Sequence, residues 1–325
     1  MGERSVTAAV GLSQADRKVL VVCAGWALLS LLVFGVGSVT SGGADWFVIV
    51  VSLLKVGAFL IAAALCWRNV RQPEILSGRS VWQAIALGML FYALGDITVI
   101  LWRSLWGIDS RVSLGDVFYG ASYLFLAIGL LQAVLPRQTN LNLPQTLGIS
   151  IAGVIGILFA SWINFYAPTV APVSPDTHKS YAEAIQPEST AAESRGVAAG
   201  AITHSKQTAP AVIQTIEARL GGIARRMGLV YVVGDCALVV IAMALLVAFW
   251  GGTYSEAWKL VALAGLCLYV ADMFLMYEVS KGTYQQGEVW EIFWVLSALF
   301  FGLSAGVEYG VSTQMKRHSA RREWL

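Results

Sequence analysis

The sequence contains few charged residues for its length. Asp, Glu, Lys and Arg make up 13% of the 325 residues, whereas apolar residues make up 57%. Soluble domains usually carry about 25% charged residues, so this composition could not cover a globule with a water-compatible surface. The formal net charge is only +2, and no basic stripe with interleaved aromatic residues is present. A nucleic-acid partner is therefore excluded.

Histidine and cysteine are also scarce. The histidines, His178, His204 and His318, lie outside every long apolar segment. No imidazole is therefore available within a membrane to bind haem, chlorophyll or zinc, and we predict no metal or cofactor. The cysteines all lie in or at the ends of apolar segments and form no CxxC pair: Cys23, Cys66, Cys236 and Cys267. We expect reduced thiols that pack against neighbouring side chains.

Motifs of common enzyme classes are missing as well. The sequence has no HExxH, Walker or dinucleotide-binding glycine motif, and no apolar segment contains a Ser/His pair. Ala93–Asp96 (ALGD) differs from the GxGD motif of intramembrane aspartyl proteases in its first residue. The other protease motifs, Tyr-Asp and Pro-Ala-Leu, are absent. We predict that the protein is not an enzyme.

Apolar residues occur in blocks close to the ~20 residues that cross a bilayer core. Tryptophans such as Trp46, Trp67 and Trp250 flank many blocks, which is typical of the aromatic belt at a membrane interface. We therefore predict an all-α fold, a polytopic membrane bundle of eight transmembrane helices. The blocks are residues 19–40, 46–66, 82–102, 116–136, 146–166, 228–250, 257–277 and 289–310.

The distribution of Lys and Arg predicts that both termini are cytoplasmic. Residues 1–18 and the basic residues 311–325 are then cytoplasmic tails, and we expect no cleavable signal peptide because the N-terminal residues are polar. Residues 167–227 form an extracytoplasmic loop between the fifth and sixth spans. This loop is rich in Pro, Ser, Ala and Glu, so we expect it to be largely disordered, with an amphipathic helix at 212–227.

An internal repeat divides the membrane portion into two halves, 19–136 and 146–310. Trp82–Asp96 (WQAIALGMLFYALGD) aligns without a gap with Trp258–Asp272 (WKLVALAGLCLYVAD). The segments that begin at Gly115 and Trp290 align in the same way. Each half has four spans, an even number, so the halves are predicted to be parallel four-helix repeats.

The repeat also aligns acidic residues of the first half, which lie in or beside the spans, with acidic residues of the second half. An ionisable group at the centre of a span costs about 3 kcal/mol, so each is a candidate for ligand or ion binding. We expect these acids to line one cavity per half, or one shared cavity, open to the extracytoplasmic side. The alternative is structural: acids at helix starts cap the helix, and deeper acids form buried hydrogen bonds with Tyr, Trp or Ser that hold helices together. The acids are Asp45, Asp96 and Asp116 in the first half, and Asp235, Asp272 and Glu291 in the second.

Lys55 lies near the centre of the second span and has no counterpart in the second half. Side chains lean toward the N-terminus of their own helix, so Lys55 and Asp96 should converge. We predict an ion pair between them, which serves either as a helix clamp or in ligand or proton binding. Asp272 has no such lysine, so we expect it to be protonated in its apolar setting. The second half would then respond to pH or to a cation.

Short motifs in both halves resemble a membrane domain that precedes GGDEF and EAL signalling modules in bacteria. They are Gly115–Tyr119 (GDVFY), Tyr231–Asp235 (YVVGD), Leu268–Asp272 (LYVAD), Gly282–Tyr284 and Trp290–Leu299. The resemblance implies a sensory or anchoring module in the bacterial inner (cytoplasmic) membrane, with an unassigned ligand. No cyclase module follows in this sequence, so we expect any output to pass through a partner protein.

Three functions remain open at this point. The first is a non-enzymatic sensory or scaffold module that binds a small ligand, lipid or partner at the acidic cavity. The second is a transporter or channel subunit in which Asp96, Asp235 and Asp272 form a proton or cation path with Lys55 as counter-ion. The third is an accessory subunit of a photosynthetic or respiratory complex, for which a thylakoid membrane is the alternative location.

Overall fold

The computed structural model describes residues 14–40, 44–73, 75–106, 113–134, 143–166, 209–221, 224–248 and 255–323. Within these ranges the chain forms helices and no strand. The helices are α1 (Gln14–Thr40), α2 (Asp45–Val70), α3 (Arg79–Trp106), α4 (Leu114–Val134), α5 (Leu143–Tyr166), α6 (Ala211–Gly221), α7 (Ala224–Ala248), α8 (Ser255–Lys281) and α9 (Ile292–Glu323), and a 3₁₀ helix (Val289–Glu291) precedes α9.

All of these α-helices except α6 are long and apolar enough to cross a membrane, which gives eight candidate spans in the described residues. The predicted all-α polytopic bundle is confirmed. Large apolar side chains face outward, as lipid contact requires: Leu32 on α1 is 65% exposed and Leu158 on α5 is 63% exposed. The helices extend beyond the apolar blocks, because backbone hydrogen bonding continues into polar sequence. α9, for example, continues through residues predicted as a tail.

The region between the fifth and sixth spans is described only in part. Residues 167–208 of the predicted loop lie outside the described residues. An eleven-residue helix, α6, lies where the amphipathic helix was predicted, and it contacts α4. The remainder of that predicted segment, from Ala224, belongs to α7 and continues into the sixth span.

Six helices form a closed ring. α2, α3, α4, α7, α8 and α9 each pack against the next in that order, and α9 packs against α2. α1 lies outside the ring against α9 and α2, and α5 lies outside it against α7 and α8. Trp82 of α3 and Trp258 of α8, which the sequence repeat equates, stack across the interior with ring centroids 6.3 Å apart. Their buried indoles fill the interior near the end where α3 and α8 begin.

Close packing of α3 on α4 depends on glycines. A Cβ on Gly88 of α3 would lie 2.8 Å from Leu126 Cγ and 3.3 Å from the Ser122 carbonyl oxygen. A Cβ on Gly129 of α4 would lie 3.2 Å from the Val81 carbonyl oxygen. Small residues allow helix backbones to approach closely in membranes, where van der Waals packing drives association. The tight α3–α4 contact fixes the position of Asp96 on α3 relative to Asp116 on α4.

We expect Gly88→Ala to lower the free energy of unfolding by about 1–3 kcal/mol, because the added methyl group overpacks a filled interface. Gly120→Ala is the matched control, since a Cβ on that α4 glycine meets no atom within 4 Å. The control should leave stability unchanged or slightly raised. Unfolding of both variants by SDS titration in detergent micelles measures the difference. Equal stability of the two variants would contradict the close-packing account.

Candidate functional site

The interior of the ring contains a cavity of about 650 Å³. It lies toward the end where α2 and α4 begin and where α3 and α8 end, which we call the acidic end. Its volume falls within the roughly 300–1,000 Å³ that is typical of small-molecule sites. Side chains from every helix of the ring line it, including four residues singled out from the sequence: Lys55, Asp96, Asp116 and Asp272. Both sequence halves therefore contribute to a single cavity.

Lys55 forms a buried salt bridge with Glu291. Its Nζ lies 2.8 Å from Glu291 Oε2, and the two residues are 5% and 0% exposed. Lys55 Nζ also lies 4.7 Å from the centroid of the Trp294 ring. The predicted ion pair of Lys55 with Asp96 is wrong, although Asp96 remains near enough for the two charges to interact. The reason is ring closure, which places the beginning of α9 beside α2.

Glu291 also fixes the backbone that precedes α9. Its Oε1 accepts hydrogen bonds from the Gly287 amide at 2.8 Å and from the Tyr284 hydroxyl at 3.3 Å. Gly287 has a φ of +97°, a conformation that glycine adopts without steric cost. The carboxylate thus orders the turn before α9 with one oxygen and neutralises Lys55 with the other.

Asp96 presents an unsatisfied oxygen. Its Oδ1 accepts a hydrogen bond from the Tyr119 hydroxyl at 2.7 Å. Its Oδ2 is buried and has no hydrogen-bond partner within the described residues. Gly95 makes this arrangement possible, because a Cβ there would lie 2.5 Å from the Tyr119 ring. A buried carboxylate oxygen requires a donor, and Asp96 lines the cavity from which a ligand could supply one.

Asp116 caps α4 in a capping box. Its Oδ2 accepts from the Ser113 amide at 2.7 Å, while Ser113 Oγ accepts from the Gly115 amide at 3.0 Å. This reciprocal pattern satisfies free N–H groups at a helix start. The Tyr231 hydroxyl of α7 donates to Asp116 Oδ1 at 2.7 Å. The capping alternative is confirmed for Asp116. Asp45 is the first residue of α2, but its side chain lies outside the described part, so its role stays a prediction.

Asp235 and Asp272 lie together around one tyrosine. The Tyr123 hydroxyl is 2.5 Å from Asp235 Oδ1 and also contacts Asp272 Oδ2. Trp294 Nε1 donates to Asp272 Oδ1 at 2.8 Å. Asp272, for which the sequence predicted no lysine partner, therefore has two hydrogen-bond partners, because α4 packs against α7 and brings Tyr123 across from the first half. Asp235 is 1% exposed and lies behind Tyr123 rather than in the cavity lining.

The alternative of hydrogen bonds to Tyr, Trp or Ser is confirmed for the deeper acids Asp96, Asp235 and Asp272, and Asp116 also accepts from a tyrosine. The sequence did not indicate which tyrosines form these contacts. A tyrosine in an apolar span must find a partner for its hydroxyl when buried, and that requirement was the available signal. Three of these contacts join helices from different halves, so no comparison within one half would have found them. The tyrosines are Tyr119, Tyr123 and Tyr231.

A loop crosses the mouth of the cavity. Gln286, between α8 and α9, accepts a hydrogen bond from Arg103 Nη1 at 2.5 Å through its Oε1. Its Nε2 donates to Ser52 Oγ at 2.9 Å. One amide side chain therefore joins the loop to α3 and to α2. A ligand that enters from the acidic end would have to pass this contact.

No family model matches the chain, and neither a curated protein nor a solved structure matches it. The charges and the shape of the cavity are therefore the basis for a functional assignment.

Proposed function

We propose that the protein is a non-enzymatic integral membrane sensory or scaffold module that binds a small cationic ligand in the cavity at the acidic end. The observation that carries the proposal is Asp96 Oδ2, a buried acceptor that lines the cavity and has no donor among the described residues. An ammonium group provides both the missing N–H donors and the opposite charge. We also propose that the protein lies in a bacterial inner membrane with both termini in the cytoplasm. Its two halves are parallel repeats, and a protein partner receives the signal.

The charge of the lining supports a cationic ligand. Glu291 neutralises Lys55, and Arg103 at the mouth is the remaining basic side chain of the lining. The acids of the lining outnumber it: Asp96, Asp116 and Asp272. Aromatic rings also surround the space, and their faces attract cations. They belong to Tyr92, Tyr119, Tyr123, Tyr231, Tyr284 and Trp294.

The packing of aromatic side chains at the other end of the ring supports ligand binding rather than transport. Phe59 and Tyr92 stack below the cavity with ring centroids 4.1 Å apart, and Trp82 and Trp258 fill the interior beyond them. A ligand that enters from the acidic end therefore meets packed aromatic side chains instead of a continuous path.

A transporter or channel subunit is the second candidate, because carboxyl and tyrosine groups follow one another through the ring. Proton or cation transfer along them would require the aromatic layer to open. Flux of protons or cations into liposomes tests this candidate. A flux that is lost in Asp272→Asn would favour transport and would count against a function in ligand binding alone.

We expect Asp96→Asn to weaken binding of small ammonium compounds by about ten- to hundredfold, the cost of losing one charge-assisted hydrogen bond. The amide keeps the shape of the side chain and can still accept from Tyr119. Binding is measured by isothermal calorimetry with the protein in nanodiscs. Each compound has N–H donors on its ammonium group and is paired with an uncharged isostere, for example ethanolammonium with 1-propanol.

Glu256→Gln is the matched control for this experiment. Glu256 is an exposed acid at the opposite end of the bundle, paired with Lys259 at 2.9 Å, so its loss should not change binding. The proposal would be refuted if no ammonium compound bound more tightly than its isostere, or if both variants bound equally well.

A further inference from the structure

A second pocket, of about 570 Å³, lies between α2 and α3 at the end opposite the acidic cavity. Its walls are apolar along both helices and open toward the surrounding bilayer, since Leu60 is 41% and Leu90 is 38% exposed. Ala64 of α2 lies exposed between these leucines and the end of the helix. We call this feature the α2–α3 groove.

The α2–α3 groove becomes basic where α2 ends. Arg68 and Arg71 line that end of the groove together with Gln72. The guanidinium carbon of Arg68 lies 4.1 Å from the centroid of the Tyr309 ring, so the side chain is held in position by α9. Trp67, beside them, is 40% exposed, as expected of an indole at the level of lipid headgroups.

The dimensions of the groove match one leaflet. Leu60 of α2 precedes Arg71, the residue directly after that helix, by eleven residues, and Leu90 follows Arg79, the first residue of α3, by the same number. At 1.5 Å per residue both leucines lie about 16 Å below the arginine level. Half of a hydrocarbon core of about 30 Å is nearly the same depth. An acyl chain could therefore lie along the apolar wall while its headgroup remains beside the arginines.

We propose that the α2–α3 groove is a binding site for an anionic phospholipid, with the phosphate at Arg68 and Arg71 and an acyl chain along Leu60 and Leu90. Arginine presents a planar fork of N–H donors that fits phosphate oxygens. Basic pockets between membrane helices recognise anionic headgroups on the same grounds. The site is independent of the acidic cavity, so the two proposals stand or fall separately.

Native mass spectrometry of the purified full chain tests the lipid site, with phosphatidylglycerol and phosphatidylcholine of identical acyl chains as probes. The wild type should prefer phosphatidylglycerol. Arg71→Gln should reduce this preference about fivefold, the ratio that corresponds to about 1 kcal/mol for one arginine near a charged surface. The Arg68→Gln/Arg71→Gln double variant should abolish it. Ala64→Phe, which fills the apolar wall, should weaken phosphatidylglycerol binding without changing the charge.

Matched controls lie on α1, which begins at the same end of the bundle but outside the groove. Arg17→Gln removes an exposed arginine and Ala24→Phe adds a ring to an exposed surface, so neither should change lipid preference. A preference that survives in Arg71→Gln and in the double variant would overturn the proposal. Competition by free glycerol phosphate, combined with full binding in Ala64→Phe, would identify an anion site instead of a lipid site and would also overturn it.

Discussion

Lys55→Met is expected to lower the free energy of unfolding by about 3–5 kcal/mol, the usual cost of removing one partner of a buried ion pair. Methionine retains the apolar stem that packs against Trp294, so the principal loss is the charge. Glu291, which is 0% exposed, would then be an uncompensated carboxylate in the interior of a membrane bundle. SDS titration of the variant in detergent micelles, followed by circular dichroism, measures the loss.

The exposed pair of Lys259 and Glu256 provides the control. Its N···O distance is 2.9 Å, close to that of the buried pair, but its side chains are 39% and 71% exposed. Lys259→Met should therefore cost about 0–1 kcal/mol. The double variant Lys55→Met/Glu291→Gln should recover part of the loss, because no charge remains unpaired. A loss in Lys55→Met no larger than in the control would show that the buried pair contributes nothing.

The spans were predictable because the signal is local. Length and apolarity of each block are properties of consecutive residues, and all eight blocks correspond to helices in the structure. The capping box at Ser113 and Asp116 was predictable for the same reason, since both partners lie within one turn. The helix ends were less accurate, because apolarity marks the membrane core whereas hydrogen bonding marks the helix.

The partners of the buried charges were not predictable in this way. Lys55 was assigned to Asp96 by treating each half as a separate unit, yet its partner Glu291 lies 236 residues away. Tyr123 likewise reaches Asp235 and Asp272 across the contact of α4 with α7. These pairings depend on the closure of the ring, and no spacing within either half of the sequence contains that information.

The contacts of Tyr123 indicate how many protons its neighbours hold. A tyrosine hydroxyl has one hydrogen, so it can donate to only one carboxylate, and a second carboxyl in contact must itself be the donor. Asp272 has a further donor in Trp294, whereas Asp235 Oδ2 has no donor within the described residues, and the two carboxyl groups lie within hydrogen-bond reach of each other. Two carboxylates that share one site cannot easily both ionise. We therefore expect one proton on the pair, carried by Asp235, and not on Asp272 as the sequence had suggested.

Tyr123→Phe is expected to cost about 2–4 kcal/mol, because both buried carboxyl groups lose a hydrogen-bond partner. Asp235→Asn should change stability by less than about 1 kcal/mol, since the amide N–H replaces the donor of a protonated acid in nearly the same shape. Tyr269→Phe is the control for the tyrosine. Its hydroxyl donates to the neutral Gly156 carbonyl oxygen at 2.9 Å, so its loss should cost about 0.5–1.5 kcal/mol.

Infrared spectroscopy distinguishes this account from a purely structural role for Tyr123. The wild type should show the carbonyl stretch of a protonated carboxyl at neutral pH, and Asp235→Asn should remove that band while the bundle remains folded. Asp272→Asn should leave the proton on Asp235 and therefore keep the band. If Asp235→Asn destabilised the bundle as much as Tyr123→Phe does, or if the wild type showed no such band, both carboxyls would be ionised. The proton count would then be wrong, and the pair would have to be stabilised by a cation.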